Sequence, residues 1–266
     1  MMTEYGEFAI SIARVAGSLL KDRFSENHEV DYKGEIDIVT EADRMSEKIL
    51  ITEIVRKFPD HNILSEESIE IKKGSRYRWI IDPLDGTTNY AHGFPVFCVS
   101  IALEKDGEII TGVIYNPVSE ELFVTEKGEG AFMNGSSISV SKTTKISRSL
   151  LATGFPYDIR RDPNKNINYF GGMVLEAQAI RRAGSAALDL AHTAAGRFDG
   201  FWELKLHPWD TAAGWLLVNE AGGTITDIFG NPYRLDSPSI LASNGKIHDS
   251  MIHILGSINP ADKRLL

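Results

Sequence analysis

Between residues 62 and 132 the chain breaks into short β-rich runs joined by turns too tight for any crossover, and this restricts the fold more than any other feature. The runs are Trp79-Ile80-Ile81 and residues 96–103, 109–115 and 122–125; Lys105-Asp106-Gly107-Glu108 and Asn116-Pro117 read as turns between them. Parallel neighbours need a connection of a dozen residues or more, so the series predicts an antiparallel sheet. Two helices precede it. Phe8, Ile12, Val15, Ala16, Leu19 and Leu20 keep helical spacing, and Met45, Ile49, Leu50, Ile54 and Val55 mark a second helix over 43–58 that Pro59 ends.

After residue 145 the pattern alternates. A strand at 150–153 is followed by a polar loop with Arg160, Arg161 and Lys165. Helices follow at 170–177, 186–195 and 211–221, with strands near 199–202, 223–226 and 239–242. No repeat, low-complexity tract or linker intervenes. The reading is one integrated unit of mixed α+β and α/β character: residues 1–145 form a helix pair plus an antiparallel sheet, packed on an α/β half over 146–266.

A chain of 266 residues is long enough to bury roughly three quarters of its unfolded surface without a disulfide or metal. With 37 acidic and 28 basic residues the net charge is −9, which argues against a broad nucleic-acid or anionic-membrane surface but leaves room for a local anion site built around a metal. The single Cys98, in Phe97-Cys98-Val99, excludes an intramolecular disulfide and reads as a small buried hydrophobe. Seven histidines form no HxxxH or HExxH pattern and read as ordinary polar or core residues. Glu4, Glu7 and Arg14 are unlike a signal peptide, and no membrane-length apolar run occurs. A cytoplasmic location is the expectation.

The chemistry concentrates in Trp79-Ile80-Ile81-Asp82-Pro83-Leu84-Asp85-Gly86-Thr87-Thr88-Asn89-Tyr90. An apolar strand runs into two carboxylates, with Pro83 fixing a bend and Gly86 permitting close backbone approach. Two carboxylates and the Leu84 carbonyl make half of a hard-cation site of the Mg²⁺ type. Taken alone the passage reads equally well as a turn. Leu64-Ser65-Glu66-Glu67-Ser68 presents Glu66 at a strand end, and His207-Pro208-Trp209-Asp210 sets an acid at a helix start, where it also reads as a plain N-cap.

Together with Ile38-Val39-Thr40-Glu41-Ala42-Asp43, these segments resemble, in order and approximate spacing from Lys33 to Asn244, the inositol monophosphatase family of Mg²⁺-dependent, typically lithium-sensitive phosphatases. The resemblance implies a layered αβαβα sandwich, a homodimer, a substrate phosphate bridging two or three Mg²⁺ ions, and water as nucleophile. Carried over by motif, Glu66, Asp82 and the Leu84 carbonyl hold one metal. Asp82, Asp85 and Asp210 hold a second, and Glu66 faces a weaker third. Thr87 and Asp43, with Glu66, position and activate the water. Asp85, Gly86, Thr87, Gly184, Ser185, Ala186, Glu203 and Asp210 meet the substrate, with Glu203 on a ring hydroxyl. Lys33 falls on a loop near the third metal and Glu67 beside Glu66. Ser65 departs from the family's usual Gly.

The reading is hydrolysis of a small polyol or sugar phosphate, with inositol monophosphate leading. A fructose-1,6-bisphosphatase, with Arg160, Arg161 and Lys165 on the second phosphate, is the rival enzyme. A partner of the transcription machinery is the rival of another class.

Overall fold

The computed structural model describes residues 2–24, 30–32, 38–68, 70–161 and 166–258. Lys33 and Lys165 lie outside them. Helix α1 (Glu4–Arg23) begins at Thr3, whose hydroxyl accepts the Gly6 N–H. Strands β1 (Val30–Tyr32) and β2 (Ile38–Thr40) pair antiparallel, and β2 runs directly into α2 (Glu41–Lys57). Strands β3 (Asn62–Ser65) and β4 (Tyr77–Asp85), a short helix α3 (Thr87–Ala91), and β5 (Cys98–Lys105), β6 (Glu108–Asn116), β7 (Glu121–Glu126), β8 (Gly130–Met133) and β9 (Ser136–Ile138) follow. β3 to β9 make a seven-stranded sheet in sequence order.

The sheet departs from the expected antiparallel series at one edge, where β3 and β4 run parallel. The chain leaves β3 after Ser65 and returns only at Tyr77, a connection long enough for a crossover. The β5–β6 turn is as expected: Asp106 and Gly107 have φ of 52° and 85°, the positive pair of a two-residue hairpin. β8, β9 and β11, each only three or four residues long, and the last helix have no counterpart in the sequence reading.

The second sheet is five-stranded, in the order β11 (Ala179–Arg181), β10 (Leu150–Thr153), β12 (Gly200–Leu204), β14 (Ser239–Ser243), β13 (Thr224–Thr226). Its helices are α4 (Ile167–Glu176), α5 (Ala186–Ala194), α6 (Pro208–Glu220) and α7 (His248–Ser257). α6 starts three residues before the expected 211, because Pro208 suits the first helical position.

Strand alternation sets the layers. Trp79, Ile81, Ile101 and Val113 pack against Phe8, Ile12 and Leu20 of α1 and Leu50 and Ile54 of α2. Ile80, Ala102, Ile114 and Phe123, on the opposite face, pack against α5 and α6 through Leu188, Leu190, Ala213 and Leu217. Phe201 and Ala242 close the middle layer from the second sheet. Their neighbours Trp202 and Leu241 turn outward to Tyr169 and Met173 of α4 and Met251 and Leu255 of α7. The order is αβαβα, and α6, covered on both sides, is apolar almost all round. Among the described residues no helix is long and apolar enough to cross a membrane.

Candidate active site

Asp82 and Asp85 are three apart on β4, a spacing that would put them on opposite faces of a regular strand. The register corrects this: Asp82 pairs with Ser100 and Asp85 with Cys98, so β4 carries one residue more than β5 across the interval. Pro83, which has no N–H to give the ladder, lies inside this bulge. Cys98 and Ser100 share a face of β5, so both carboxylates point toward the middle helices. Asp82 is 1% exposed and its Oδ1 accepts the Leu84 N–H at 3.0 Å.

The middle helices supply the rest. Asp85 Oδ2 accepts from Ser185 Oγ at 2.6 Å and from the Ala187 N–H at 2.8 Å, at the start of α5. The Cys98 thiol lies 3.8 Å from the same oxygen, and burial pushes its pKa well above the ordinary range, so it stays protonated. Asp210 stands in the first turn of α6 and accepts the His207 N–H at 2.6 Å, so the expected N-cap is instead a first-turn acid that satisfies the cap residue's backbone. Glu66 follows the end of β3. The preceding Ser65 is buried and donates to Glu47 of α2, which gives this departure from the usual Gly a bonding role.

Gly86 has φ of +101°, and a Cβ there would lie 2.8 Å from the Val96 carbonyl oxygen. Only glycine makes this turn. It delivers Thr87, whose Oγ1 lies 2.7 Å from Asp43 Oδ1 and 3.0 Å from the Leu84 carbonyl. Asp43 is fully buried, and its Oδ2 accepts the Thr40 N–H at 2.8 Å and the Thr40 hydroxyl at 2.5 Å. The capping box of α2 therefore fixes the carboxylate that the Thr87 hydroxyl meets. Ser46, one turn along α2, donates to the Pro83 carbonyl at 2.7 Å and ties the helix to the bend.

Burial, then the charges of Glu66, Asp85 and Asp210, pushes Asp82 well above the usual carboxylate range. Burial, then Asp85 and Glu66, does the same to Asp210. Burial raises Asp85 too, opposed by the Ser185 and Ala187 donors. Among the described residues Asp82, Asp85 and Asp210 form no ion pair with Lys, Arg or His, and no three acids close into a ready-made cation cage. Like charges in one buried space stand apart unless something opposite draws them together.

Asp85, Gly184, Ser185, Ala186, Glu203 and Asp210 border a single cleft. Glu203 is 8% exposed, and burial, then the Asp85 charge, raises its pKa to about 8 against the pull of Arg182. Glu67 is half-buried beside Glu66. Arg160 and Arg161 are exposed in a turn and do not border the cleft; Arg182 and Lys205 do, with Lys205 held 2.7 Å from Asp158. Sequence reasoning named Arg182 only as the start of the Arg182–Ala187 segment that resembles the family's substrate-facing one, and missed a role for Lys205, for Asn89 and for Asp189, another bordering acid. Asn89 Nδ2 donates to the Val96 and Ala183 carbonyls at 2.7 and 2.8 Å, joining α3 to the segment before α5. The Ser185-to-Asp189 spacing of one helical turn was the available signal for Asp189.

The layered αβαβα fold sets buried acids beside a hydroxyl–carboxylate pair, and comparison with known proteins gives the class to which such a site belongs. The profile of the inositol monophosphatase family matches residues 1–259. The inositol-1-monophosphatase of Mesorhizobium japonicum is 44% identical over 246 residues, 91% of this chain and 92% of that protein. The Nus factor SuhB of Escherichia coli is 40% identical over 247 residues, 92% of each. The solved inositol monophosphatase of Anabaena superposes with a TM-score of 0.88 at 44% identity, covering 96% of both chains. The chain belongs to the inositol monophosphatase family, and its enzymatic class is that of a phosphatase.

Proposed function

We propose that this phosphatase hydrolyses inositol monophosphate, or a closely similar polyol monophosphate, with Mg²⁺. The observation that carries the reading is the set Glu66, Asp82, Asp85 and Asp210, in which burial and the charges of the other acids raise the pKa of Asp82 and of Asp210, beside the hydroxyl-bearing Thr87 and a polar cleft. An all-oxygen donor set of this kind fits Mg²⁺. Glu66, Asp82 and the Leu84 carbonyl would hold one ion; Asp82, Asp85 and Asp210 a second; Glu66 would face a third. Bound there, Mg²⁺ supplies charge neutralisation for a phosphoryl group and a lowered pKa for water.

The chain's own residues do the remainder. Asp43, fixed by Thr40, accepts a hydrogen bond from the Thr87 hydroxyl, whose oxygen is left free to accept one from the attacking water; as the water gives its proton to Thr87 Oγ1, the hydroxyl proton passes to the Asp43 carboxylate, with Glu66 on the water's other side. Gly86 and Thr87 border the phosphate, while Gly184, Ser185 and Ala186 border the organic part. Glu203 takes a ring hydroxyl. The family resemblance supports a cytoplasmic, lithium-inhibited homodimer.

Phosphate release from inositol monophosphate, fructose 1,6-bisphosphate and simple sugar phosphates, in Mg²⁺ and in excess EDTA, tests the proposal. Turnover confined to the bisphosphate would move the assignment to that rival, and full turnover in EDTA would refute the metal. The relative named Nus factor SuhB favours a second reading, a partner of the transcription machinery. Specific retention of RNA polymerase from lysate by a protein without phosphatase activity would establish it instead.

A further inference from the structure

One buried acid of the cleft is unused by the mechanism above. Asp189 lies one turn beyond Ser185 on α5, so both leave the same face of that helix, and it borders the cleft with Asp85 and Glu203. It is 1% exposed, and its Oδ1 has no hydrogen-bond partner among the described residues. Its neighbours Leu188, Leu190 and Ala191 are core residues. A carboxyl in this position has lost water and gained nothing on one oxygen, which destabilises the fold relative to an apolar side chain. Burial, then the charges of Glu203 and Asp85, also pushes its pKa well above the usual range.

Glu203, on β12, is accommodated with similar care. A Cβ on Gly154 would fall 2.1 Å from Glu203 Oε1, so the chain leaves a bare backbone where that carboxyl passes. Two buried carboxyls thus border one cleft, one given room by a glycine and one carrying an unsatisfied oxygen.

We infer that Asp189 determines specificity: with Glu203 it forms a two-carboxyl seat for the hydroxyls of a polyol ring, its unpartnered Oδ1 bonding one of them. This rests on the phosphatase acting on a polyol ester as proposed above. A hydroxyl both donates and accepts, so it completes this carboxyl whether protonated or ionised. An ester without hydroxyls leaves Oδ1 unsatisfied, and sites built to bond a hydroxyl discriminate strongly against such analogues.

The test compares wild type, Asp189→Ala and Asp189→Asn on inositol monophosphate and phenyl phosphate at saturating Mg²⁺, with Tm measured without substrate. For Asp189→Ala the KM for inositol monophosphate rises about tenfold or more, while kcat/KM for phenyl phosphate stays within about twofold. Tm does not fall, since an unsatisfied buried group has been removed. Asp189→Asn, which keeps an acceptor oxygen and the shape, recovers most of the inositol monophosphate activity. Equal losses on both esters, a lowered Tm or failure of Asp189→Ala to fold would make Asp189 structural and overturn the inference. If wild type hydrolyses neither ester, the polyol-phosphatase reading itself fails. Turnover of both with no selective loss in Asp189→Ala defeats the inference alone.

Discussion

Ser185→Ala removes one oxygen and tests whether Asp85 is held in place for a cation. Ser185 is 2% exposed, and its hydroxyl donates to Asp85 Oδ2 at 2.6 Å. A hydrogen bond to a charged group contributes about 1.5–3 kcal/mol. The Ala187 N–H remains on the same oxygen, which favours the lower half of that range, about 2 kcal/mol. At about 1.4 kcal/mol per tenfold, this predicts a roughly tenfold to thirtyfold higher Mg²⁺ concentration for half-maximal activity, in keeping with the effect of residues that orient metal ligands. kcat at saturating Mg²⁺ changes little, because the reacting groups are untouched. Ser185 also caps α5, but its contact with the Leu188 N–H is long at 3.4 Å. That loss adds about 0.5–1 kcal/mol, or a few degrees in Tm. A Mg²⁺ titration of phosphate release, with Tm as control and Ser185→Thr as rescue, measures all three. A folded Ser185→Ala protein with an unchanged Mg²⁺ midpoint refutes the reasoning.

Thr87→Ala and Asp43→Asn each lower kcat by about 10²–10⁴, and the double variant is little worse, because the pair acts as one unit; multiplicative losses in steady-state kinetics would show independent roles. Glu203 has its pKa raised from 4.5 to about 8 by burial, so the folded metal-free protein keeps a proton there that the unfolded chain loses. Stability from this group is present below pH 4.5 and lost as pH rises toward 8, by at most on the order of 5 kcal/mol. Urea midpoints at pH 5 and 8 in EDTA should differ less in Glu203→Gln than in wild type, and equal differences would contradict the assignment.

Much of this was readable from spacing. The paired turns gave β5, β6 and β7, helical periodicity gave α1 and α2, and the acidic motifs gave Asp85 and Asp210, to which the family resemblance added Gly184, Ser185, Ala186 and Glu203 on the same cleft. What escaped was what neighbours decide. The parallel β3–β4 pair follows from where the chain returns, which local pattern does not encode. β8, β9 and β11 are too short for alternation to register. Asp82 and Asp85 read together as half of a cation site, but the device that joins them, a bulge at Pro83 in a strand whose regular alternation would set them on opposite faces, is visible only in the register with β5. Arg160 and Arg161 looked like an anion site because their charges cluster, yet tertiary packing brings Arg182 and Lys205 to the cleft instead. Asp189, one acid in an Ala- and Leu-rich helix, shows its character only when both sheets cover it.

The Asp85–Ser185 bond spans 100 residues and the Thr87–Asp43 bond spans 44. During synthesis the first sheet is complete by β9, well before α6 ends at Glu220. Until then Ile80, Ile114 and Phe123, which the finished molecule hides under α5 and α6, have nothing to cover them. Roughly eighty residues separate Ile138 from Glu220, a wait of about 4–16 s at ribosomal speed. During that interval the nascent chain still awaits Ser185 and Asp210 and leaves an apolar sheet face bare, the kind of surface through which incomplete chains aggregate.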